Sequence, residues 1–247
     1  MKGGCRFTKT RAVRPIVSII VVVFRDAEEL AALLQNLCPF RGSDTELIVI
    51  DGGSDDGSVD TLSSNSDRID FWLSEPDTGI YDAMNKGIAA ACGEYLIHIN
   101  AGDRLLYLPL STLANFAANG IDVVCCRVLE DGARQYTPRS GWLIRIDNPW
   151  HHQGTFYRRQ AHLGYDPSYQ VFGDFDHNQR LSKLTNSIQF LDAVVATHRT
   201  NGITSNNYAR REIYRSIRTN FGWLYLAPAL IRFGVNRLRR IHRLSRS

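Results

Sequence analysis

Carboxylate and amide side chains recur where this sequence turns. Asp51 heads Asp51-Gly-Gly-Ser-Asp-Asp-Gly-Ser58, Asp77, Asp82, Asn85 and Lys86 follow within one short stretch, and Asn100 and Asp103 bracket Asn100-Ala-Gly-Asp103. A carboxylate at a strand end suits a hard divalent cation, Mg2+ or Mn2+, bridging diphosphate oxygens, because such ions keep waters and take one or two protein carboxylates. Asp103 is the residue placed for that task, with a plain turn residue as the alternative. Asp51 could accept hydrogen bonds from a nucleobase or ribose, its two glycines letting backbone approach a ligand closely. An Asp-Gly turn with Ser54 or Asp55 capping the next helix accounts for the same residues. Further on, Trp142, Trp150, His151, His152 and Gln153 precede Thr155-Phe-Tyr157. Aromatic rings beside hydrogen-bonding tips are common where sugar rings stack and their hydroxyls are read.

The elements that must position these groups centre on Ser74 to Asp103. A Glu75-Pro-Asp-Thr-Gly79 turn leads into a helix with Ala83, Met84, Gly87, Ile88 and Ala91 on one face, broken at Gly93. Tyr95-Leu-Ile-His-Ile99 then reads as a buried strand that delivers Asn100 and Asp103 at its carboxyl end, the edge where open α/β sheets bind ligands. Val17–Val23, Glu46–Ile50, Phe71–Leu73 and Ile121–Cys126 read as further strands, with 187–191 and 194–197 as a last edge strand. Leu30, Leu33, Leu34 and Leu37 mark a core-facing helix; 105–118 and 178–184 read as helices, and Glu130-Asp-Gly-Ala133 as a hairpin-like turn. No glycine follows the first of these strands, which excludes a dinucleotide fingerprint there.

Pro76-Asp-x-Gly-Ile-Tyr-Asp-Ala-Met-Asn-Lys-Gly87, then Gly93-Glu-Tyr and Asn100-x-Gly-Asp103, resembles family 2 glycosyltransferases of the GT-A fold, particularly the colanic-acid type of bacterial exopolysaccharide biosynthesis. The resemblance covers roughly 16–207. It implies an α/β fold with a Rossmann-like mixed central sheet flanked by helices, and a nucleoside-diphosphate sugar donor bound by Asp51, Asp77, Asp82, Asn85, Lys86 and Asn100. It implies a metal on Asp103, although many relatives have Asp-x-Asp there, and Gly52 stands where the family's loop has a second Asp. Asp174 matches the family's general base in an Asp-aromatic-Asp arrangement, while Asp176 reads equally as a helix cap or as part of the sugar pocket. His152 and Gln153, followed by Phe156-Tyr-Arg-Arg159, resemble the family's acceptor-half motif, and Asn201-Gly-Ile-Thr204 its mobile donor loop or, equally, a linker. His198 lacks supporting spacing and is left out of the metal site.

Length and 44% hydrophobic content fit one α/β domain at 16–207, with a basic segment at 1–15 and a helical basic extension at 208–247. Five cysteines without metal-ligand spacing fit a reduced, cytosolic setting, and no apolar core of signal-peptide length precedes Pro15. Residues 1–14 carry +5 and residues 210–247 carry +9, so a total of +4 leaves the body at −10. That distribution argues against a nucleic-acid groove and for a protein held on an anionic membrane surface, the cytoplasmic face of the inner membrane, through the C-terminal helix. Phe221–Ile231 is too short to span, and the expectation is an interfacial helix with Trp223 and Tyr225 at headgroup depth. The function implied is inverting transfer of a hexosyl or deoxyhexosyl unit to a hydroxyl of a lipid-linked glycan. Alternatives are a non-catalytic sugar-nucleotide-binding scaffold subunit and, less favoured for want of a glycine- and lysine-rich triphosphate loop, a nucleotidyltransferase.

Overall fold

Seven consecutive apolar or small residues, Val17–Val23, are all buried, as a strand covered by helices on both faces must be. In the computed structural model, which describes residues 1–7, 13–199 and 207–232, this strand is second in the chain. The order is β1 (Lys2–Gly3), β2 (Val17–Val23), α1 (Ala27–Leu37), β3 (Thr45–Asp51), α2 (Ser58–Ser64), β4 (Phe71–Ser74), α3 (Ile80–Ala90), β5 (Tyr95–His98) and β6 (Arg104–Leu105). There follow α4 (Leu110–Ala118), β7 (Val123–Glu130), β8 (Arg134–Tyr136), β9 (Thr155–Arg158), α5 (Gly173–Leu181), β10 (Ile188–His198) and α6 (Asn207–Phe221). The strands form one mixed sheet in the order β1-β4-β3-β2-β5-β9-β7-β10-β6, with β8 paired to β7. β4, β3, β2 and β5 are parallel, as are β7 and β10; β9 runs antiparallel between the two groups. This is the α/β architecture expected from the sequence.

Alternation along each strand divides the core into layers. Ile19, Val21, Leu47 and Val49 meet Leu30, Leu33, Leu34 and Leu37 of α1 on one face. Ile20, Val22, Ile48 and Ile50 meet Ala83 and Met84 of α3 on the other. Each such large aliphatic side chain contributes roughly 1.5–3 kcal/mol by burial. α3 approaches so closely that a Cβ on Gly87 would lie 2.5 Å from Ile20 Cγ2, so Gly87 is a packing requirement.

Four local differences from the sequence reading have physical causes. The helix expected over 105–118 starts only at Leu110, because Pro109 disfavours helix in the residue before it, and Arg104–Leu105 pairs with β10 as β6. β10 is accordingly flanked on both sides rather than at the edge. The helix expected over 178–184 starts at Gly173, which puts Asp174 and Asp176 inside its first turn. Lys2–Gly3 extends the sheet against β4, and Arg6 and Arg14 pair with Glu46 (2.7 Å) and Glu94 (2.9 Å), so these two charges face the body.

Candidate active site

The parallel strands β3, β4 and β5 end at one edge of the sheet, and the loops that follow carry most of the polar residues read from the sequence. Asp51, fully buried, closes the first loop on itself. Its Oδ2 accepts from the N–H groups of Gly53 (3.2 Å) and Ser54 (3.0 Å) and from Ser74 Oγ (2.6 Å), and Oδ1 accepts from Ser54 Oγ. Both oxygens are therefore engaged in shaping residues 51–54. A Cβ at Gly52 would lie 2.5 Å from Asp77 Oδ2, so glycine here lets the Asp77 carboxylate sit against the backbone. Burial raises the Asp77 pKa, and the negative charges of Asp82 and Asp51 add to it against the Gly79 N–H and Lys86.

α3 uses its polar face locally. Asp82 accepts from Thr78 N–H (3.0 Å), and Lys86 donates to Pro76 O (2.9 Å) and pairs with Glu75 at 3.0 Å, so both tie the 75–79 turn to the helix. Asn85 points elsewhere, clamping the Tyr165 backbone with its Nδ2 on the carbonyl and its Oδ1 on the N–H, both at 2.8 Å.

Asp103 belongs to a different arrangement, assembled from distant parts of the chain. It is 3% exposed; Oδ1 lies 3.0 Å from His198 Nδ1 and accepts from Arg199 N–H (3.3 Å), while Oδ2 accepts from Gln153 Nε2 (2.7 Å). Burial pushes its pKa up, but the His198 hydrogen bond and charge and the Gln153 hydrogen bond prevail, leaving it below the usual carboxylate value. His198 is moved the opposite way: burial lowers its pKa, and Asp103 more than restores it. Glu29 of α1 holds the flanking residues, accepting from Arg104 (3.0 Å) and Arg199 (2.7 Å). Thus α1 draws the loop after β5 and the end of β10 together.

Asp174, in the first turn of α5, is also buried. Oδ1 accepts from Phe175 N–H (2.8 Å); Oδ2 accepts from Asn148 Nδ2 (2.8 Å) and lies 3.3 Å from His152 Nδ1. Desolvation raises its pKa, and the hydrogen bond and charge of His152 with the charge of His151 bring it below its ordinary value, so Asp174 is ionised at neutral pH. Asn178 Nδ2 donates to Asn148 Oδ1 (3.1 Å) and Tyr157 OH to Asn178 Oδ1 (2.7 Å), anchoring the Asp174 side in the sheet. Gly173 permits this placement, since a Cβ there would meet the Tyr81 ring at 2.7 Å.

One short 3-10 turn, His152–Gly154, joins the two carboxylates. His152 reaches Asp174 through Nδ1 and Asn100 Nδ2 through Nε2 (3.4 Å), while the adjacent Gln153 reaches Asp103. Asn100, Asp103, His152, Gln153 and Asp174 therefore lie in one connected network. Asp176 stands apart from it, bound to Arg180 (2.7 Å), Tyr169 (3.3 Å) and Asn220 (2.9 Å), where it fastens α6 to α5. Sequence reasoning left out His198 and did not single out Asn148 or Glu29. The available signal for His198 was its position at the carboxyl end of a strand, which needs the β10 register to be recognised. The Gly-Ile-Thr segment at 202–204 lies outside the described residues.

The network also holds acceptors without donors. Asn100 Oδ1 and Gln153 Oε1 are buried with no partner among the described residues. No group of three His, Cys, Asp or Glu among the described residues is arranged to hold a metal. The Asp103 carboxylate and the two unpartnered amide oxygens are nevertheless donors of the type a hard divalent cation takes, with water and ligand phosphate completing its shell. Behind Asp174, His98, His162 and His177 gather with Tyr165; the rings of His162 and His177 stack at 4.1 Å, and burial holds all three imidazoles neutral, that of His177 with a pKa lowered to about 3. A cavity of about 1080 Å3 opens at the opposite sheet edge, where the Arg6 and Arg14 guanidiniums already pair with acids, and is remote from this network.

Comparison with known proteins gives the network a context. The profile of the family described as Glycosyl transferase family 2 matches residues 18–175. A PGL/p-HBAD biosynthesis glycosyltransferase of Mycobacterium bovis is 30% identical over 220 residues, covering 82% of this chain and 84% of that protein. Among solved structures, S. aureus TarS in complex with UDP-GlcNAc aligns with a TM-score of 0.67 at 17% identity over 83% of this chain and 66% of that one. The mannosyltransferase PcManGT of Pyrobaculum calidifontis, in complex with GDP-Man and Mn2+, aligns with a TM-score of 0.57 at 18% identity over 91% of this chain and 72% of that one.

Proposed function

Because the chain belongs to glycosyl transferase family 2, we propose that it transfers one hexosyl or deoxyhexosyl unit, with inversion, from a nucleoside-diphosphate sugar to a hydroxyl of a lipid-linked glycan in polysaccharide assembly. The observation that carries this reading is the buried Asp174 carboxylate linked through His152 and Gln153 to Asp103 at the carboxyl edge of the sheet. Ligands of open α/β sheets bind at the carboxyl edge, and the complexes of TarS with UDP-GlcNAc and PcManGT with GDP-Man support a donor of the nucleotide-sugar class.

The donor's nucleotide lies along the 51–54 and 75–79 loops, where Asp77 offers the oxygen that Gly52 leaves room for. Asp174 takes the proton from the acceptor hydroxyl as that oxygen bonds to the anomeric carbon. The bond from carbon to the diphosphate oxygen breaks on the far side, and its electron pair leaves with the nucleoside diphosphate. One base suffices, because a diphosphate leaving group needs no proton of the kind a glycosidase supplies. Asn148 and His152 fix the Asp174 carboxylate so that little reorganisation is needed. Asp103 and the Asn100 and Gln153 oxygens would hold a divalent cation, with His198 fixing the Asp103 carboxylate, and the cation would offset charge on the diphosphate. Lipid-linked acceptors place the enzyme on the cytoplasmic face of the membrane as a peripheral protein; among the described residues no helix is long and apolar enough to cross a membrane.

Asp174→Asn tests the reading directly. Transfer from a panel of UDP- and GDP-sugars is expected to fall by about 10²–10⁴-fold, while the donor-induced thermal shift is retained. Full activity in this variant removes Asp174 from the chemistry. Donor binding without turnover in the unaltered protein gives the site to a scaffold subunit instead.

A further inference from the structure

We propose that an apolar ridge formed by Trp223, Leu224, Leu230 and Ile231 docks on an anionic lipid bilayer, beside the wall that carries Asp174. For its setting the proposal rests on the lipid-linked acceptor put forward above; its physical basis is separate. Past Gly222 the chain makes a 3-10 turn, Trp223–Tyr225, and residues 226–232 are helical. This segment has two dissimilar faces. Ala229 is buried with Ile146, Phe175, Ile213 and Ile217, and Tyr225 and Leu226 pack against the same cluster. On the other face Trp223 is 70%, Leu224 88%, Leu230 55% and Ile231 69% exposed. Four large apolar side chains so close in sequence form a patch of the kind that marks an interaction site.

Charge selects the occupant. Arg218 lies over the Trp223 ring at 5.2 Å, which places a cation beside the most exposed aromatic ring of the ridge. The fifteen residues after Arg232 include Arg237, Arg239, Arg240, Arg243 and Arg246 and no acid. An apolar ridge followed in the sequence by five arginines and no acid matches a surface with an apolar interior and anionic headgroups, each basic residue near it contributing roughly 1 kcal/mol. Tyr225 is not part of the ridge. Its hydroxyl accepts from Arg145 Nη1 (2.6 Å), and the Arg145 guanidinium lies 5.4 Å from its ring. This corrects the expectation that both aromatics reach headgroup depth: Trp223 faces out and Tyr225 faces the body.

Position links the ridge to the site. Arg232 Nε donates to Asp147 Oδ2 (2.7 Å), and the next residue, Asn148, donates to Asp174 Oδ2 (2.8 Å). The segment 142–148, bearing exposed Trp142, thus connects the ridge with the Asp174 carboxylate. A bilayer touching the ridge lies alongside the acceptor side of the site, so an acceptor anchored in it is already local.

Flotation of the full chain with phosphatidylcholine–phosphatidylglycerol vesicles tests the docking. The unaltered protein is expected to float with these vesicles, less with phosphatidylcholine alone, and less again as salt screens the arginines. A W223S/L224S variant is expected to partition roughly tenfold less, with an unchanged melting temperature because both side chains are exposed. Three results would overturn the proposal: no flotation of the unaltered protein, equal flotation of the variant, or a dimer in solution that the variant converts to monomer. Donor-induced thermal shifts without vesicles keep this distinct from the transferase reading. Their absence in the unaltered protein counts against that reading alone, while the flotation result still decides the docking.

Discussion

The two halves of the polar edge satisfy their hydrogen bonds in opposite ways. In the 51–54 and 75–86 region, most partners are near in sequence: Asp51 with Gly53 and Ser54, Asp82 with Thr78, Lys86 with Asp82. In the Asp103–Asp174 network the partners come from distant segments: Asp103 with Gln153 and His198, Asn148 with Asp174, Asn100 with His152. The first half makes the shape of a loop and could do so without ligand. The second holds two buried carboxylates together and leaves amide oxygens without a protein partner, a cost of about 1–3 kcal/mol for each such group unless water, a ligand or a cation meets it. Acceptors left open between two buried carboxylates point to a ligand more strongly than the number of acids does.

Variants can break this contrast, with the largest effects expected in the long-range network. After Asp174→Asn, the next largest loss is expected for Asp103→Asn, which should lower transfer by about a hundredfold or more and abolish any thermal shift that Mn2+ adds to a nucleotide. A metal-dependent shift as large as the unaltered protein's would take the cation away from Asp103. His198→Asn is expected to follow in the same direction with a smaller loss, since it removes one of two strong donors.

In the local half the expected effects are on stability. Asp51→Ala leaves the Gly53 and Ser54 N–H groups and Ser74 Oγ without their acceptor and should cost about 1–3 kcal/mol in chemical denaturation. Lys86→Met, which removes a half-exposed ion pair with Glu75, should cost less than about 1 kcal/mol and leave transfer nearly unchanged. A tenfold loss of donor affinity there would move Lys86 into the ligand-facing group and blur the contrast.

Acid sharpens it from another side. His98 and His177 are buried and His151 and His162 partly buried, all with folded pKa values below the unfolded value, about 3 for His151 and His177. The unfolded chain therefore binds more protons as pH falls below about 6.5, so their contribution is fully present above that value and declines as pH drops toward 3. His198, with its raised pKa, acts with the opposite sign, losing its contribution as pH rises through its folded value. Thermal scans from pH 7 to 4.5 are expected to show a falling midpoint, because four groups oppose two, His198 and the raised Asp77. A flat profile would mean that these rings are hydrated in solution.

Much of the scaffold was legible because burial on two faces imposes a pattern on short segments. Val17–Val23 and the Leu30, Leu33, Leu34, Leu37 stripe admit few other structures. The two-residue strands β1 and β6 carry no period, and only the sheet already formed calls them into being. The same limit applies to chemistry. Asp103 and Asp174 could be named from a motif resemblance, whereas the His198 contact depends on how β10 aligns with β7, and Asn148 on how residues 142–148 lie against α5. Asp176, readable equally as a helix cap or as part of the sugar pocket, lies two positions from Asp174, and that spacing on a helix turns it toward Arg180 and Asn220.

The turn at His152–Gly154 limits how such an enzyme can be diversified. Gly154 is pressed so close to β7 that a Cβ would lie 2.8 Å from the Cys126 carbonyl oxygen, and the two residues before it serve different carboxylates. Insertions, deletions or bulkier residues there would disturb both at once. New acceptor preferences are more accessible to selection or engineering at exposed Trp142, where change can accumulate without touching the shared hinge of the chemistry.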